Sequence, residues 1–346
     1  LFDELDTEFA ERQSKAPGWF KDFPYVNGKL FEEKIRTASF DAAMRELLLE
    51  CCALDWARIS PAVFGSMFQH IMDAEGLDSQ HDLRRELGAH YTSEDNILKL
   101  IGPLFLDELQ AELKQAQGSI NALFEFQKKL RRLRFLDPAC GCGNFLVITY
   151  RELRRLELAV FEAVKTQALR KPGTSGLQLL EPFRAEMVNV DQFSGIEIEE
   201  FPARVAQVAL WLVDHQMNVL ASQTLQAWLP RLPLKHSANI RVGDALDLDW
   251  AQLCPPAQTH YILGNPPFVG SKFINAEQRQ SMERLLAGAG IQGGGVLDLV
   301  AGWYIKAAQY LSGSSAAQAN ERKKAFKDAE FAKAKQASLI DEPAEP

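Results

Sequence analysis

Gly264-Asn265-Pro266-Pro267-Phe268 follows directly on the apolar run Tyr261-Ile262-Leu263. These residue types suit one task, holding a planar amine while a new bond forms at its nitrogen. The Asn265 side-chain carbonyl is an acceptor. Proline has no N–H and a fixed φ, so Pro266 and Pro267 make a stiff corner whose main-chain carbonyls stay free to accept. Two acceptors aimed at one –NH₂ group draw its lone pair out of conjugation and towards an electrophile. Phe268 then offers a flat face on which a planar base can stack. The competing account is an ordinary proline turn after a strand. Asn-Pro-Pro arises by chance in about 4% of chains this long, so its weight depends on what precedes it.

What precedes it is a set of acids at strand ends. Leu133-Arg134-Phe135-Leu136 runs into Asp137-Pro138-Ala139-Cys140-Gly141-Cys142-Gly143-Asn144-Phe145 and then a helical pattern from Leu146 to Val160. Strand, glycine-rich turn and helix in that order open a Rossmann-like unit. Gly141 and Gly143 let backbone approach a ligand closely, and Asp137 can take a cationic amine. A dinucleotide fingerprint needs a third glycine three residues on and an acid about 20 residues later. Here position 146 is Leu, and the next strand-end acid is Glu197, in Phe193-Ser194-Gly195-Ile196-Glu197-Ile198. Glu197 suits the two hydroxyls of a ribose. A third strand, Asn239-Ile240-Arg241-Val242-Gly243, ends at Asp244-Ala245-Leu246, where Asp244 can accept from an adenine amino group. Acids at three successive strand ends match an amino acid joined to a nucleoside with no phosphate between, the form of S-adenosylmethionine.

Together, Asp-Pro-Ala-Cys-Gly-Cys-Gly-Asn-Phe-Leu, Gly-Ile-Glu, Gly-Asp-Ala-Leu and Asn-Pro-Pro-Phe resemble the amino-methylating DNA methyltransferases of the gamma arrangement. Gly88-Ala89-His90-Tyr91-Thr92-Ser93 fits the upstream cofactor motif of that arrangement and opens a helix from Glu94 to Leu109. Further upstream, Phe23 to Phe31 and Ile59 to Gln69 are similar to the helical spacer of MmeI-like fused restriction–modification enzymes, so the likeness reaches from about residue 20 to 311. The resemblance implies that Tyr91 and Thr92 meet the methionine carboxylate. It implies that Asp137, Pro138, Ala139, Gly141 and Gly143 wrap the methionine, that Glu197 and Ile198 hold the ribose end, and that Asp244 and Ala245 read the adenine. Asn265, Pro266, Pro267 and Phe268 would position a flipped base, most simply adenine at N6. No general base is required, because the nitrogen becomes acidic only as the new bond forms, so catalysis is orientation plus hydrogen bonding. Double-stranded DNA and S-adenosylmethionine are the implied partners, with a nuclease or sequence-recognition domain as a further associate.

These elements predict an α/β chain, a Rossmann-like S-adenosylmethionine-dependent methyltransferase sheet behind an N-terminal helical domain. The expected parts are a helical spacer over 1–85, a methyltransferase core over 86–311, and a polar helical or disordered tail over 312–346. Helices are expected at Phe40 to Trp56, Pro61 to Met72, Pro202 to Val219 and Leu297 to Leu311, with a loop at Arg170 to Glu181. Asp298 reads as a helix-start acid, and His90 and His215 as structural. The family sheet has seven strands ordered 3-2-1-4-5-7-6, and four are visible here. Residue 1 is Leu, so the chain reads as a piece of a longer protein, ordered 3-2-1-4, with the Asn-Pro-Pro strand at an open edge and its activity alone in doubt.

Composition agrees. At 346 residues and 47% hydrophobic, the chain can hold one large core plus an appendage. No apolar run approaches a membrane span and no signal-peptide pattern opens the chain. Five irregularly placed cysteines suit a reducing cytoplasm. Cys140 and Cys142 lack a second pair, so no metal is expected, and they read as small residues in a tight loop. A net charge of −8 argues against strong nonspecific DNA binding by this chain alone. The basic runs Lys128 to Arg132 and Arg151 to Arg155 read as solvated helix faces. A methyltransferase acting on RNA or on protein glutamine, and a non-catalytic remnant, are the alternative readings.

Overall fold

Four parallel strands carry the candidate site, in the spatial order β3-β2-β1-β4. They are β1 (Phe135–Asp137), β2 (Phe193–Glu197), β3 (Asn239–Val242) and β4 (Tyr261–Ile262). The structure is a computed structural model and describes residues 41–54, 92–169, 176–225, 238–291 and 297–312. Among these residues the order is the one the sequence predicts, with β4 at an edge. The spacer motifs at 23–31 and 59–69, the helix at 61–72, His90, Tyr91 and the tail beyond 312 lie outside the described residues.

The helices among the described residues are α1 (Ala42–Ala53), α2 (Glu94–Ile101), α3 (Asp107–Ala116), α4 (Ile120–Arg132), α5 (Asn144–Leu169), α6 (Gly176–Ala185), α7 (Glu200–Leu225), α8 (Trp250–Leu253), α9 (Ala276–Gly288) and α10 (Val300–Ser312). The helix expected from Glu94 to Leu109 is instead two helices joined by a π-turn over Gly102–Leu106. Pro103 has no N–H to give the α ladder, which accounts for the break. The loop expected at Arg170 to Glu181 is helical from Gly176 onward and runs through Pro182. Burial explains this: Leu180 and Phe183 are each 1% exposed, and Phe183 sits edge-on against Phe124 at 5.1 Å.

Register is set by an aromatic stack across three strands. Phe135 pairs with Phe193 on one side and Tyr261 on the other. The Phe135 and Phe193 rings stack at 5.0 Å, and those of Phe135 and Tyr261 at 5.4 Å. Such cross-strand pairs each add roughly 0.2–1 kcal/mol, and a one-residue slip would move every ring to the opposite face. Phe135 and Phe193 join the core beneath α4, α5 and α7, whereas Leu136 and Ile196 join a second core with Trp250, Ala307 and Tyr310. Burial on both faces is why these strands read as continuous apolar runs.

The Arg151 to Arg155 run departs from the solvated face expected of it. Arg155 is exposed, but Arg154 is 1% exposed. Its guanidinium meets Glu157 at 2.8 Å, Tyr150 at 2.8 Å and Asn218 at 2.9 Å. This network ties α5 to α7, and an arginine enters a core only with such partners. In the Lys128 to Arg132 run, Lys128 pairs with Glu125, Lys129 with Glu112, and Arg131 with both oxygens of Asp191.

Candidate active site

The three strand-end acids share one local device. Asp137 Oδ1 accepts from Ala139 N at 3.1 Å, Glu197 Oε1 from Glu199 N at 3.1 Å, and Asp244 Oδ1 from Leu246 N at 2.8 Å. Each acid therefore fixes the turn that follows its own strand with one oxygen, through a bond to the N–H two residues on. The second oxygen differs at each site. That of Glu197 takes Gly141 N at 2.9 Å, locking the β2 tip to the glycine loop after β1. That of Asp244 is reached by Ser281 Oγ at 3.4 Å. That of Asp137 is buried and has no hydrogen-bond partner among the described residues.

A buried carboxylate oxygen without a donor is costly unless a ligand supplies one. Burial raises the Asp137 carboxyl to about 8, with a further push from the Glu197 charge and against the lowering effect of Ala139 N–H. Burial also raises Glu197, opposed by the N–H groups of Glu199, Gly141 and Ile198. Both effects suit sites where a cation or hydroxyl donors take the place of water.

Backbone crowds this pocket. Gly143 has φ +82°, and a Cβ there would lie 2.9 Å from Ala206 Cβ of α7. Gly264 has φ +150°, and a Cβ there would sit 2.3 Å from Asp137 Oδ1. Neither position accepts a side chain. Cys140 and Cys142 are buried in the loop, and burial pushes the Cys142 thiol up to about 12 and the Cys140 thiol well above its usual range. They pack as small inert residues. Ile198 is 53% exposed beside Glu197, and Ala245 is buried.

The Asn-Pro-Pro corner leaves β4 at the same edge. Leu263 N donates to Leu136 O at 3.0 Å, which carries the β1 pairing one residue past β4 and brings Gly264 over Asp137. Pro266 is buried, Pro267 half-buried, and Asn265 and Phe268 are exposed. Asn265 Nδ2 donates to Thr92 Oγ1 at 3.4 Å, so the amide oxygen Oδ1 is the atom available to accept. Thr92 reaches this point because α2 and its π-turn pack on the aromatic stack, Phe105 lying 5.3 Å from Phe135 and 4.9 Å from Tyr261. At the start of α2, Glu94 is held by Arg151 of α5 at 2.5 Å.

Several contributors have no signal in the sequence. Trp303 Nε1 donates to Pro138 O at 3.1 Å, so α10 braces the loop after β1. Lys306 donates to Leu246 O. Ser281 and Arg284 of α9 hold Asp247 at 3.0 Å each. All are far from their partners in sequence, and the amphipathic pattern of α9 and α10 conceals them. Asp298 behaves as expected of a helix-start acid, accepting from Val300 N at 3.0 Å.

Residues 113–326, more than half of the chain, match the family described as "MmeI, DNA-methyltransferase domain". DNA methyltransferase A of Bacillus subtilis (strain 168) is 38% identical over 321 residues, covering 91% of this chain and 34% of that protein. A putative type II restriction enzyme and methyltransferase of Methanocaldococcus jannaschii is 20% identical over 290 residues, 71% of this chain and 23% of its own length. The Type IIL restriction-modification enzyme MmeI, solved in complex with DNA, superposes with a TM-score of 0.76 at 50% identity, covering 90% of this chain and 39% of that one. The chain thus spans about a third of the length of the more similar curated relative, and no helix among the described residues is long and apolar enough to cross a membrane. By family, sequence and fold together, the chain belongs to the MmeI DNA-methyltransferase domain family.

Proposed function

We propose that the chain carries the catalytic part of a site-specific DNA adenine-N6 methyltransferase that uses S-adenosylmethionine within a restriction–modification polypeptide. The methyltransferase core is residues 86–311, preceded by a helical spacer. The observation that carries this reading is the buried Asp137 Oδ2, without a partner among the described residues, on a carboxyl group that lies against Gly264, one residue from Asn265. An ammonium group meets that oxygen's need, and the amine that needs alkylating meets Asn265 next door.

The residues fit the cofactor in kind. Asp137, Pro138, Ala139, Gly141 and Gly143 would hold the methionine part, with Tyr91 and Thr92 at its carboxylate. Glu197 retains a lone pair on each oxygen for ribose hydroxyls after its backbone bonds, and Ile198 is an exposed apolar face beside it. Asp244 and Ala245 would take the adenine. When bound, S-adenosylmethionine supplies an electrophilic methyl group. Asn265 Oδ1 and the Pro266 carbonyl accept from the target amino group, and Phe268 stacks on the extruded base. Their acceptor strength matters most as the nitrogen becomes cationic, which is where catalysis is gained. Duplex DNA is the substrate, and nuclease and sequence-recognition segments of the parent polypeptide are the associates.

The test is incubation of the full polypeptide with methyl-labelled cofactor and DNA, RNA or protein, followed by nuclease digestion and mass spectrometry. N6-methyladenine in DNA is expected. Label in RNA or in glutamine, or a methylated cytosine, would overturn the substrate assignment. No label in any of the three would leave the non-catalytic remnant.

A further inference from the structure

The loop that follows the Asn-Pro-Pro corner carries a second aromatic that the reaction does not use. Phe273 is 68% exposed, the most exposed large apolar side chain among the described residues. Its backbone is nevertheless held. Phe273 N donates to Gly270 O at 2.7 Å, closing a tight turn. On one side of the turn Val269 is 1% exposed, and its carbonyl accepts from Leu299 N at 3.2 Å. On the other side Ile274 packs on the cluster of Met282, Leu285 and Leu286. Asn275 and Gln278 then cap α9 reciprocally, at 3.1 and 2.9 Å. Fixed stems thus present a flat apolar ring to solvent five residues after Phe268.

Charge around this ring is distinctive. The chain has 46 acidic residues, yet none falls between Asp249 and Glu277, a stretch that includes β4, Asn265 and the whole loop. Lys272, beside Phe273, is exposed, and the guanidinium of Arg279 reaches Ser271 O at 3.4 Å. An acid-free segment that carries Lys272 and is met by Arg279 from α9, in a chain of net charge −8, is the local inversion that approach to phosphates requires.

We propose that Phe273 is the side chain inserted into the duplex when the target base leaves the stack, with Lys272 as its phosphate anchor. The inference rests on the DNA-methylation reading above. Extruding a base breaks two stacking contacts and leaves a gap, and proteins that unstack DNA fill such gaps with Phe, Leu, Ile, Met or Pro. Phe268 cannot serve both ends of the process, since its ring is needed against the extruded base. Phe273 is near enough in the chain to act at the same nucleotide and far enough to act on the helix rather than on the base.

The test uses the full polypeptide and a duplex containing the site it methylates, with 2-aminopurine in place of the target adenine. At saturating protein, wild type is expected to give a large fluorescence rise as the base leaves the stack. Phe273→Ala is expected to reduce that rise at least fivefold and Phe273→Trp to retain it. Lys272→Ala is expected to leave the saturated rise intact while lowering the salt slope of binding by about one. A full rise with Phe273→Ala overturns the assignment. Loss of the rise in both Phe273 variants also does, since it marks a merely structural role. A wild type that methylates DNA without any rise overturns it too. Label in RNA or protein in place of DNA removes the underlying reading, and is seen in the product analysis rather than in fluorescence.

Discussion

The proposed cofactor side and the proposed target side of this edge are built by different means. On the cofactor side each acid is already bonded to backbone, and the loops after β1 and β2 are joined to each other through Glu197 and Gly141. On the target side the polar contact of Asn265 among the described residues is a single bond of 3.4 Å to Thr92, and Phe268 and Phe273 are 57% and 68% exposed. One side is organised by the chain's own bonds, and the other makes few of its own, as the proposed reading expects of groups that a substrate completes. A small, rigid ligand rewards a preformed pocket, because little ordering is left to offset its binding. A base that must leave a duplex meets groups that take up position with it.

The largest effect should come from the sparse side. Asn265→Ala removes an acceptor that matters in the transition state, so methylation should fall by about 10²–10³-fold or more. Cofactor affinity should stay within about twofold, since the cofactor loops hold themselves. Titration calorimetry beside an activity assay checks both halves. Equal losses in binding and turnover would mean that the two sides are one preformed unit.

Glu197→Ala should do the converse. It removes a charged acceptor from two hydroxyls and frees Gly141 N, at a cost on the order of 2–3 kcal/mol. Cofactor affinity should fall roughly 30- to 150-fold, with turnover at saturating cofactor much less affected. An unchanged affinity would show the ribose site to lie elsewhere.

How far the two sides were legible in the sequence follows the same division. The acids at 137, 197 and 244 announce themselves because each ends an apolar run, and parallel-strand topology brings the three ends to one edge. The order β3-β2-β1-β4 follows from the same units. What sequence could not reveal is how each second carboxylate oxygen is used, since that depends on Gly141 across 56 positions and Ser281 across 37. The burial of Arg154 is hidden from the sequence for a related reason. Its partners Asp214 and Asn218 lie 60 and 64 positions away, and a basic run without visible partners reads as surface. The helix through Pro182 was hidden by a local rule that the burial of Leu180 and Phe183 overrides. Phe273 resembles any loop aromatic until its fixed stems and exposure are seen together.

Asp137 offers a sharper cut, because the preformed side stores strain. Its folded pKa of about 8 lies above the ordinary value of 3.8. A raised folded value means that its stability contribution is full below about pH 4 and is lost as pH rises to about 8. Asp137→Asn cannot titrate and keeps the acceptor for Ala139 N. The variant should therefore melt like wild type near pH 4 and exceed it near pH 8, by on the order of 2 kcal/mol. The same change removes the anion that a cationic amine needs, so cofactor binding should weaken as stability rises. Wild-type binding at pH 7 should also release protons, detectable by calorimetry in buffers of different ionisation enthalpy. A variant less stable at pH 8, or binding without proton release, would mean that the carboxyl is ionised before the ligand arrives.

The smallest expected effect tests the join between the two sides. Glu94 opens α2, two residues after Thr92, and Arg151 lies two turns into α5, the helix that springs from the glycine loop. Their 2.5 Å pair thus links a cofactor-side helix to the segment that touches Asn265. The Arg151 hydrogen bond is the main cause holding Glu94 below the ordinary carboxylate value, against burial. A lowered folded pKa places the contribution above the unfolded value of 4.5, to be lost as pH falls through the folded one. Glu94 is 37% exposed at its side chain, so solvent screening limits the pair to about 0.5–1 kcal/mol, less at high salt. Glu94→Gln should therefore lower the melting temperature slightly at pH 7 and low salt, and by less as the pH is taken below 4.5. If the pair also positions Thr92 against Asn265, methylation should fall about two- to fivefold even at saturating cofactor, beside any loss of cofactor affinity through Thr92 at the methionine carboxylate. A loss of stability without that drop in turnover would show that α2 is fixed by Phe105 and the aromatic stack alone. The target side would then be independent of the cofactor side up to the moment the base arrives.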